Sequence, residues 1–357
     1  PRREVRPVSR SSGIQRAGRA ARTAPGLAIR LYTEADFLSR PEQDPPEILR
    51  RELAGLLLEV KAAGVGAVEE LPWLDAPPPQ AIRAAEELLR RLGATGGDGG
   101  LTPLGRRMAG LPLHPRLAAM IVRADQRGAG GLACAAAAAL SAGERLPEQA
   151  PHDSRSDLLV LLEGRGQERT GRLERQIRAL ARPSRDTAAS EEPLLRAVLE
   201  AFPDRVAKRR KGRELRLAGG LAAEQAANST VRAELLAVLD IEERPEKGAP
   251  LARLVSAIEP EWLLELEGGQ WTEETAVEWN RQAERAEARS ALLYEGLAIE
   301  ESRGAPPPEL AARLLADKAM EAGIGRFTDA ARVEALGRRW RFASGYADLP
   351  AFDEALL

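Results

Sequence analysis

The sequence predicts a mainly α-helical protein with α+β parts toward its C-terminal end. Ala, Leu and Arg dominate the composition, and aromatic residues make up only 4% of it, which favours helices over a β-sandwich. Before Phe202, apolar residues recur every three or four positions; after it, short alternating runs surround turns. A chain of 357 residues is long enough for two or three domains.

Two helices and a glycine-rich hairpin are predicted first. Apolar residues on one face predict helices over 47–63 and 80–92. The glycines of 96–100 predict a hairpin tip between two short strands. Thr102 and Pro103 then suit the N-cap and first position of another helix. This combination is typical of a winged helix.

A run of helices is predicted next, followed by an α+β region. The helices are 115–127, 132–141, 157–163, 173–181 and 192–201, with an exposed linker over 163–172. Beyond Phe202 the pattern predicts a hairpin around Lys211 and Gly212, strands over 235–241 and 251–258, a short helix at 261–266, two long strands between 275 and 294, and helices over 308–323 and 329–340. Residues 203–300 are compatible with a small β-barrel.

The composition limits which binding partners, metal sites and cellular compartments the sequence predicts. A net charge of −2 excludes a polycation, so any nucleic-acid binding needs local patches. Cys134 is the one cysteine, which excludes an internal disulfide and a paired-cysteine metal site and suits a reducing, cytoplasmic compartment. We expect it to be a small core residue. His114 and His152 form no ligand cluster, so no metal site is predicted. The longest apolar stretch, 132–142, is about half a membrane span, so no membrane partner is expected.

The strongest chemical pattern is Gln-Arg-Ala-Gly-Arg-Ala-Ala-Arg, at residues 15–22. On a helix, Gln15, Arg19 and Arg22 share one stripe, and the small residues between them let a bulky anion approach. Guanidinium groups are planar, permanently charged donors that suit a polyphosphate. Spacing alone leaves open a solvated, arginine-rich first helix of an ordinary domain.

This stretch resembles motif VI of DEAH-type superfamily 2 helicases, whose pattern is Gln-Arg-x-Gly-Arg-x-Gly-Arg. The one departure is Ala21, where the family has Gly; the exchange is benign in a helix, but the Cβ would intrude at a positive φ. Further stretches resemble the bacterial HrpB family of ATP-dependent helicases, and together they cover most of the chain: Ser9–Ser12, Pro25–Tyr32, Asp44–Arg50, Leu53–Leu58, Trp73–Pro78, Leu101–Gly105, Pro203–Ala207 and Arg341–Gly345.

The resemblance implies four regions. They are the C-terminal remnant of a second RecA-like domain (1–38, with strands at 4–8 and 26–32), a winged helix (39–112), a helical ratchet bundle (113–201) and an HrpB-type α+β region (202–357). The sequence contains no P-loop and no acidic magnesium box. It begins at Pro1 without Met, so we expect the C-terminal part of a longer helicase, cut within that RecA-like domain.

The resemblance also implies site residues. Arg19 and Arg22 would be catalytic arginine fingers, and Gln15 would contact the γ-phosphate or position water, so these three residues would form the cofactor-binding set. ATP and Mg²⁺ are the expected cofactors of the complete helicase. They would be held by the missing N-terminal RecA-like domain, the expected partner. We therefore expect this chain alone to bind neither and to hydrolyse no ATP.

Two groups of residues are candidate contacts to RNA or DNA. One precedes motif VI, and the other lies at the predicted hairpin tip in the densest basic run: Ser9, Arg10 and Ser12, and Arg209 and Arg210. A solvated turn is the alternative for the basic run. Because no sequence-reading motif is present, we expect binding that is independent of sequence and sensitive to salt.

The sequence thus predicts the C-terminal portion of an ATP-dependent nucleic-acid helicase that is inactive by itself. Two other classes remain open: a non-catalytic helical module of helicase ancestry that binds nucleic acid or protein, and a winged-helix DNA-binding regulator. A P-loop and acidic box encoded upstream would favour the helicase. A preferred duplex sequence would favour the regulator.

Overall fold

The computed structural model describes residues 7–148, 153–164, 168–187, 191–244, 248–323, 326, 329–347 and 349. The chain divides into two compact units, one ending at Gly269 and the other beginning at Gln270. The strand predicted over 4–8 lies largely outside the described residues. Among the helices in these ranges, none combines the length and apolar character that crossing a bilayer requires.

From residue 7 to residue 40, the described part of the N-terminal segment contains two short helices and no strand. Helix α1 spans Arg10–Ala17 and continues as a 3₁₀ turn over Gly18–Ala21, and α2 spans Glu34–Ser39. The strand predicted over 26–32 is wrong, because these residues have irregular backbone and no ladder partner among the described residues. A strand is stabilised by a neighbour that pairs its backbone groups. Without one, Leu27 and Leu31 are 83% and 95% exposed.

The helix predicted over 47–63 is divided in two. A 3₁₀ turn covers Glu47–Leu49, and Arg50, with φ −132°, then leaves the helical region. Helix α3 begins only at Ala54 and ends at Ala62. The Glu52 carboxylate accepts a hydrogen bond of 2.6 Å from the Ala54 amide. This side chain therefore satisfies one of the unpaired amides at the new helix start.

The rest of the predicted helix–hairpin–helix unit is confirmed. Helix α4 spans Pro79–Arg91, and α5 spans Pro103–Ala109. Between them Thr95 and Leu101 form an antiparallel bridge around the glycines. The Thr102 hydroxyl accepts from the Gly105 amide at 3.0 Å, as an N-cap should.

Five further helices form a bundle: α6 (Pro115–Gln126), α7 (Gly130–Ala142), α8 (Asp157–Glu163), α9 (Glu168–Ala181) and α10 (Glu192–Ala201). The linker predicted over 163–172 is wrong from Glu168 onward, where α9 has already begun. Residues Ala133–Ala139 of α7 are all buried, so this small-residue helix packs on every side. Burial raises the pKa of the Cys134 thiol to about 11, which fits the predicted inert core residue.

A closed five-stranded barrel follows the bundle. Its strands are β1 (Val206–Arg209), β2 (Glu214–Leu217), β3 (Ala222–Gln225), β4 (Leu235–Glu242) and β5 (Leu251–Ala257). The order around the barrel is β1-β2-β3-β5-β4, with β3 and β5 parallel and β1 closing onto β4. This is the architecture of the OB-fold. The small barrel predicted within 203–300 is confirmed over 206–257, whereas the strands after residue 270 belong to another sheet. Strand β3 was missed in the sequence. The short helix predicted at 261–266 follows β5 as α11 (Pro260–Leu264).

A buried carboxylate links the bundle to the barrel. Asp157, the first residue of α8, is fully buried. Its oxygens accept hydrogen bonds from the Ser229 hydroxyl at 2.7 Å, the Thr230 amide at 2.9 Å and the Val255 amide at 3.0 Å. Desolvation by burial raises the pKa of Asp157, and these hydrogen bonds oppose it. One side chain thus fixes a loop and a strand of the barrel to α8.

An arginine makes a second link. Arg116 of α6 donates to both carboxylate oxygens of Asp204 at 2.6 and 2.8 Å. It also donates to the carbonyl of Ala201, at the end of α10, at 3.0 Å. Burial would raise the pKa of Asp204, but the hydrogen bond and charge of Arg116 outweigh it and lower that pKa. The pair therefore joins α6 to the segment that enters β1.

In its described residues, the second unit is a three-stranded antiparallel sheet with two helices. Strands β6 (Trp271–Asn280), β7 (Arg285–Tyr294) and β8 (Leu297–Gly304) pair in that order, and α12 (Pro308–Ala322) and α13 (Ala330–Ala343) follow. The two predicted long strands and both helices are confirmed. Strand β8 was missed, because its second half, Glu300–Gly304, is exposed and shows no apolar alternation.

The Arg116–Asp204 link gives a prediction about stability. Arg116→Met should destabilise the chain by about 2 kcal/mol, because it leaves the partly buried Asp204 carboxylate and the Ala201 carbonyl without their donor. The free energy of unfolding in urea measures this.

Arg116→Met/Asp204→Asn should recover part of the loss, since no charge is then stranded. As a control, Arg51→Met removes an exposed pair with Glu47 and should cost less than about 1 kcal/mol. Equal losses from both single variants would contradict the structural role of Arg116.

Candidate functional site

The motif VI-like stretch is held in place by the cap of α1. The Ser9 hydroxyl accepts from the Ser12 amide at 3.3 Å and donates to the Asp44 carboxylate at 2.9 Å. The next two amides, of Arg10 and Ser11, donate to the Pro41 and Glu42 carbonyls at 2.9 Å each. Three of the unpaired amides at this helix start are therefore satisfied.

An aromatic pair supports the same helix. The rings of Tyr32 and Phe37 stack at 6.1 Å and lie against Gly13, where an added Cβ would be 3.2 Å from each side chain. The guanidinium of Arg40 lies 3.9 Å from the centre of the Tyr32 ring, and that of Arg30 lies 4.2 Å from the Phe37 ring. Gly13 therefore permits the contact that fixes α1 on the following segment.

The three predicted nucleotide-contacting residues are exposed together. Gln15 lies on α1, Arg19 in the 3₁₀ turn, and Arg22 is the residue that ends it. Side chains three apart eclipse in a 3₁₀ turn, so Arg19 and Arg22 project from one edge. Within the described ranges neither guanidinium has an ion-pair partner, and both residues are exposed. This edge offers two unpaired cations to a ligand outside the chain.

Two backbone features bear on the shape of this edge. Ala21 belongs to the 3₁₀ turn and is not among the residues with positive φ. The departure from the family pattern therefore causes no backbone strain here. Gly26 passes so close to the turn that an added Cβ would lie 1.8 Å from the carbonyl oxygen of Ala20. Only a residue without a side chain fits there.

The three residues of the first predicted nucleic-acid group differ from one another in their exposure to solvent. Ser9 is fully buried, and its hydroxyl is engaged in the cap. Ser12 is half-buried, and Arg10 has a side chain 36% exposed, 4.0 Å from the Glu42 carboxylate. Their contact with nucleic acid stays a prediction. The capping role of Ser9 was missed, although a serine before a helix is the usual signal for it.

The two arginines of the second predicted nucleic-acid group also differ in their contacts and exposure. Arg209 donates to the carbonyls of Val231 at 2.9 Å, Ala233 at 3.1 Å and Gly212 at 3.1 Å, so it braces the barrel. Burial, followed by the charge of Arg232, lowers its pKa. Arg210 is exposed in the loop between β1 and β2. Sequence could not separate the two, because two of the carbonyls belong to residues more than 20 positions away.

The β1–β2 loop has two more exposed cations nearby. Lys211 lies at its tip, and Arg216 points outward from β2. Arg213 is paired with Glu224 at 2.7 Å. Arg210, Lys211 and Arg216, which we call the barrel basic patch, have no ion-pair partner among the described residues. This patch can hold an anion.

In the described ranges, no three His, Cys, Asp or Glu side chains come together as a metal would need. The described histidine, His114, caps α6 through its Nδ1 atom, 3.2 Å from the Arg116 amide. Its Nε2 atom is 2.9 Å from the Glu52 carboxylate. Its role is therefore structural.

Comparisons with known proteins find similarity to helicases and to a helicase-associated domain. Residues 85–113 match the family described as helicase associated domain (HA2), winged-helix. The chain is 42% identical over 154 residues to the ATP-dependent RNA helicase HrpA of Escherichia coli K12, a match that covers 42% of this chain. It is 44% identical over 127 residues, or 34% of this chain, to the HrpA homolog of Haemophilus influenzae.

Solved structures extend the similarity along the chain. The crystal structure of the E. coli DExH-box NTPase HrpB superposes with a TM-score of 0.67 and 28% identity over 99% of this chain. A second structure, of the E. coli DEAH/RHA helicase HrpB, gives 0.66 and 27% over 98%. The matches cover 43% of each HrpB chain and 12% and 10% of the two HrpA-type proteins.

The close approach of Gly26 gives a prediction. Gly26→Ala should displace the chain from the 3₁₀ turn and loosen the backbone around the already exposed arginines, because the added methyl would overlap the Ala20 carbonyl. Cleavage after Arg19 and Arg22, followed by mass spectrometry, should become several-fold faster.

Gly18→Ala is the matched control. Nothing lies within 4 Å of the position that its methyl group would take, and the φ of −63° at this residue is helical, so Ala should leave cleavage unchanged or slow it slightly. Equal cleavage of both variants would show that Gly26 does not hold the turn.

Proposed function

We propose that this chain, a HrpA/HrpB-type DEAH helicase C-terminal region by sequence and fold, supplies the arginine fingers and a nucleic-acid grip to an ATP-dependent helicase. The observation that carries the proposal is the edge formed by Arg19 and Arg22, exposed and without ion-pair partners among the described residues. Two eclipsed guanidiniums beside small residues suit a phosphate chain.

The nucleotide would be held mainly by another domain. ATP with Mg²⁺, bound there, supplies the transferable phosphoryl group. Arg19 and Arg22 would neutralise the negative charge that builds on that group. The exposed Gln15 side chain, one helical turn earlier, could donate or accept a hydrogen bond at the γ-phosphate or orient the attacking water.

An apolar ridge beside the arginine edge supports contact with a further sheet. Leu27, Ile29 and Leu31 alternate along the chain just after the arginine edge and are 83%, 75% and 95% exposed. Alternating apolar residues are typical of a strand with one buried face, and such exposure marks an interaction surface. We propose that the rest of the sheet of the second RecA-like domain covers this ridge and thereby orients Arg19 and Arg22 toward the nucleotide held by the N-terminal RecA-like domain.

The grip on nucleic acid would come from the barrel. OB-folds bind oligonucleotides on the face of strands 2 and 3 and through the loop between strands 1 and 2. The barrel basic patch lies on that loop and on β2. RNA is the substrate that we propose, because the HrpA relatives are named RNA helicases. Arg10 and Ser12 remain candidate backbone contacts, whereas the Arg209 guanidinium would act by bracing the loop.

Phosphate-release assays test the arginine fingers. The chain alone should show no ATP hydrolysis above background. In a longer protein that includes the RecA-like domain, Arg19→Ala and Arg22→Ala should each lower kcat about 10³-fold with little change in KM, because the interaction forms mainly in the transition state.

Arg83→Ala is the control, since Arg83 is equally exposed but lies on α4, outside residues 15–22. It should keep kcat within about twofold. Turnover by the chain alone, or an equal effect of all three substitutions, would refute the assignment of Arg19 and Arg22.

Fluorescence anisotropy with a labelled single-stranded RNA tests the barrel basic patch. Arg210→Glu/Lys211→Glu should weaken binding and reduce the slope of log affinity against log salt by about 1.4, the value for two lost phosphate contacts on a single strand.

Arg83→Glu/Arg106→Glu makes the same charge change on exposed positions of α4 and α5 and should have a much smaller effect. A loss of affinity in this control, with normal binding by the barrel variant, would instead support nucleic-acid binding by the winged helix.

A further inference from the structure

An exposed aromatic pair lies at the end of α13. The chain has only 5 Phe, 5 Trp and 3 Tyr residues, yet Phe342 and Tyr346 are 71% and 82% exposed. Their ring centres are 5.2 Å apart and their planes are tilted by 49°. Leaving two aromatic rings in water forgoes the stabilisation that burial would supply. An adjacent pair of such rings therefore indicates a ligand surface.

The pair is on the face of α13 that does not pack. Gly337 is buried and Trp340 half-buried, three residues apart, so they mark the inward face. Phe342 follows Trp340 by two positions, which places it about 200° around the helix. Tyr346 lies four residues further on, in a turn where its amide donates to the Ala343 carbonyl at 3.0 Å. Both rings consequently share the outer face.

Arginines flank the rings. Arg338 and Arg339 precede Phe342 by four and three residues and are exposed, so they lie one helical turn away on the same side. Arg338 has only a loose pair with Glu334, at 3.7 Å. The Arg339 guanidinium has no ion-pair partner in the described ranges. Helix α13 carries four arginines and one glutamate, although the whole chain has a net charge of −2.

We propose that Phe342, Tyr346, Arg338 and Arg339 form a second binding surface for single-stranded nucleic acid. Bases would stack on the two rings, and the guanidiniums would hold the flanking phosphates; this combination of aromatic platforms and cations is how proteins bind single strands without reading sequence. The positive charge around the rings favours a polyanion over an apolar protein groove. The surface rests on the proposed function, yet it belongs to the second unit, whereas the barrel belongs to the first.

The test uses the full chain and a labelled 12-nucleotide oligouridine at low salt. Phe342→Leu/Tyr346→Leu keeps the surface apolar but removes the rings, so it should weaken binding by about tenfold or more, because stacking is lost. Arg339→Gln should weaken binding less and reduce its salt dependence. A 2-aminopurine base in the oligonucleotide should be quenched by the wild-type chain and much less by the double variant.

Leu336→Ala is the control on the same helix: Leu336 is 41% exposed, and its substitution should change affinity less than twofold. Circular dichroism confirms that each variant is folded. Unchanged affinity of the double leucine variant, with Arg210→Glu/Lys211→Glu still impaired, would overturn this surface and leave the barrel assignment intact. No binding by the wild type would overturn both. Unchanged binding with an altered particle mass in light scattering would identify a protein contact instead.

Discussion

The buried carboxylate of Asp157 is the contact on which the arrangement of bundle and barrel depends. It begins α8 and satisfies a hydroxyl and two amides of the barrel. An ionisable group with no exposure is tolerated only when its oxygens are hydrogen-bonded. The Arg116–Asp204 pair adds a second link, between α6 and the entry to β1. Together they hold the barrel, and the basic loop it carries, at a defined place beside the helices.

The arginines of this chain fall into two classes, and their function follows from that division. Arg116, Arg209 and Arg40 are engaged with carbonyls, carboxylates or a ring. By contrast, the guanidiniums of Arg19 and Arg339 have no ion-pair partner in the part of the chain that the structure describes. A guanidinium that is already paired within the chain has little charge and few donors left for a ligand, whereas an unpaired guanidinium keeps both. The proposed nucleotide and nucleic-acid surfaces are built mainly from the second class, and Arg338, with its loose pair to Glu334, is an exception.

Local signals predicted the elements that are stabilised locally. Helix α4 has an apolar stripe, and α5 has a Thr-Pro start; both formed as expected. Predictions failed where pairing or capping from outside decided the outcome. Residues 26–32 have the pattern of a strand but no described neighbour to pair with. The helix expected from Glu47 is interrupted at Arg50, and α3 begins only at Ala54, whose amide is capped by the Glu52 side chain. The second half of β8 carries exposed polar residues, so no periodicity marked it.

The sequence by itself determined the mainly helical class, the hairpin at the glycines, the family resemblance and the arginine spacing of residues 15–22, because each depends on residues close together in the chain. Tertiary structure decided which side chains remain available. Arg209 and Arg210 are neighbours with the same charge, yet one is held by carbonyls and the other is exposed. Ser9 is likewise occupied by Asp44, which lies 35 positions away. The physical reason is that hydrogen bonding and desolvation depend on distant partners, which only the folded chain brings together.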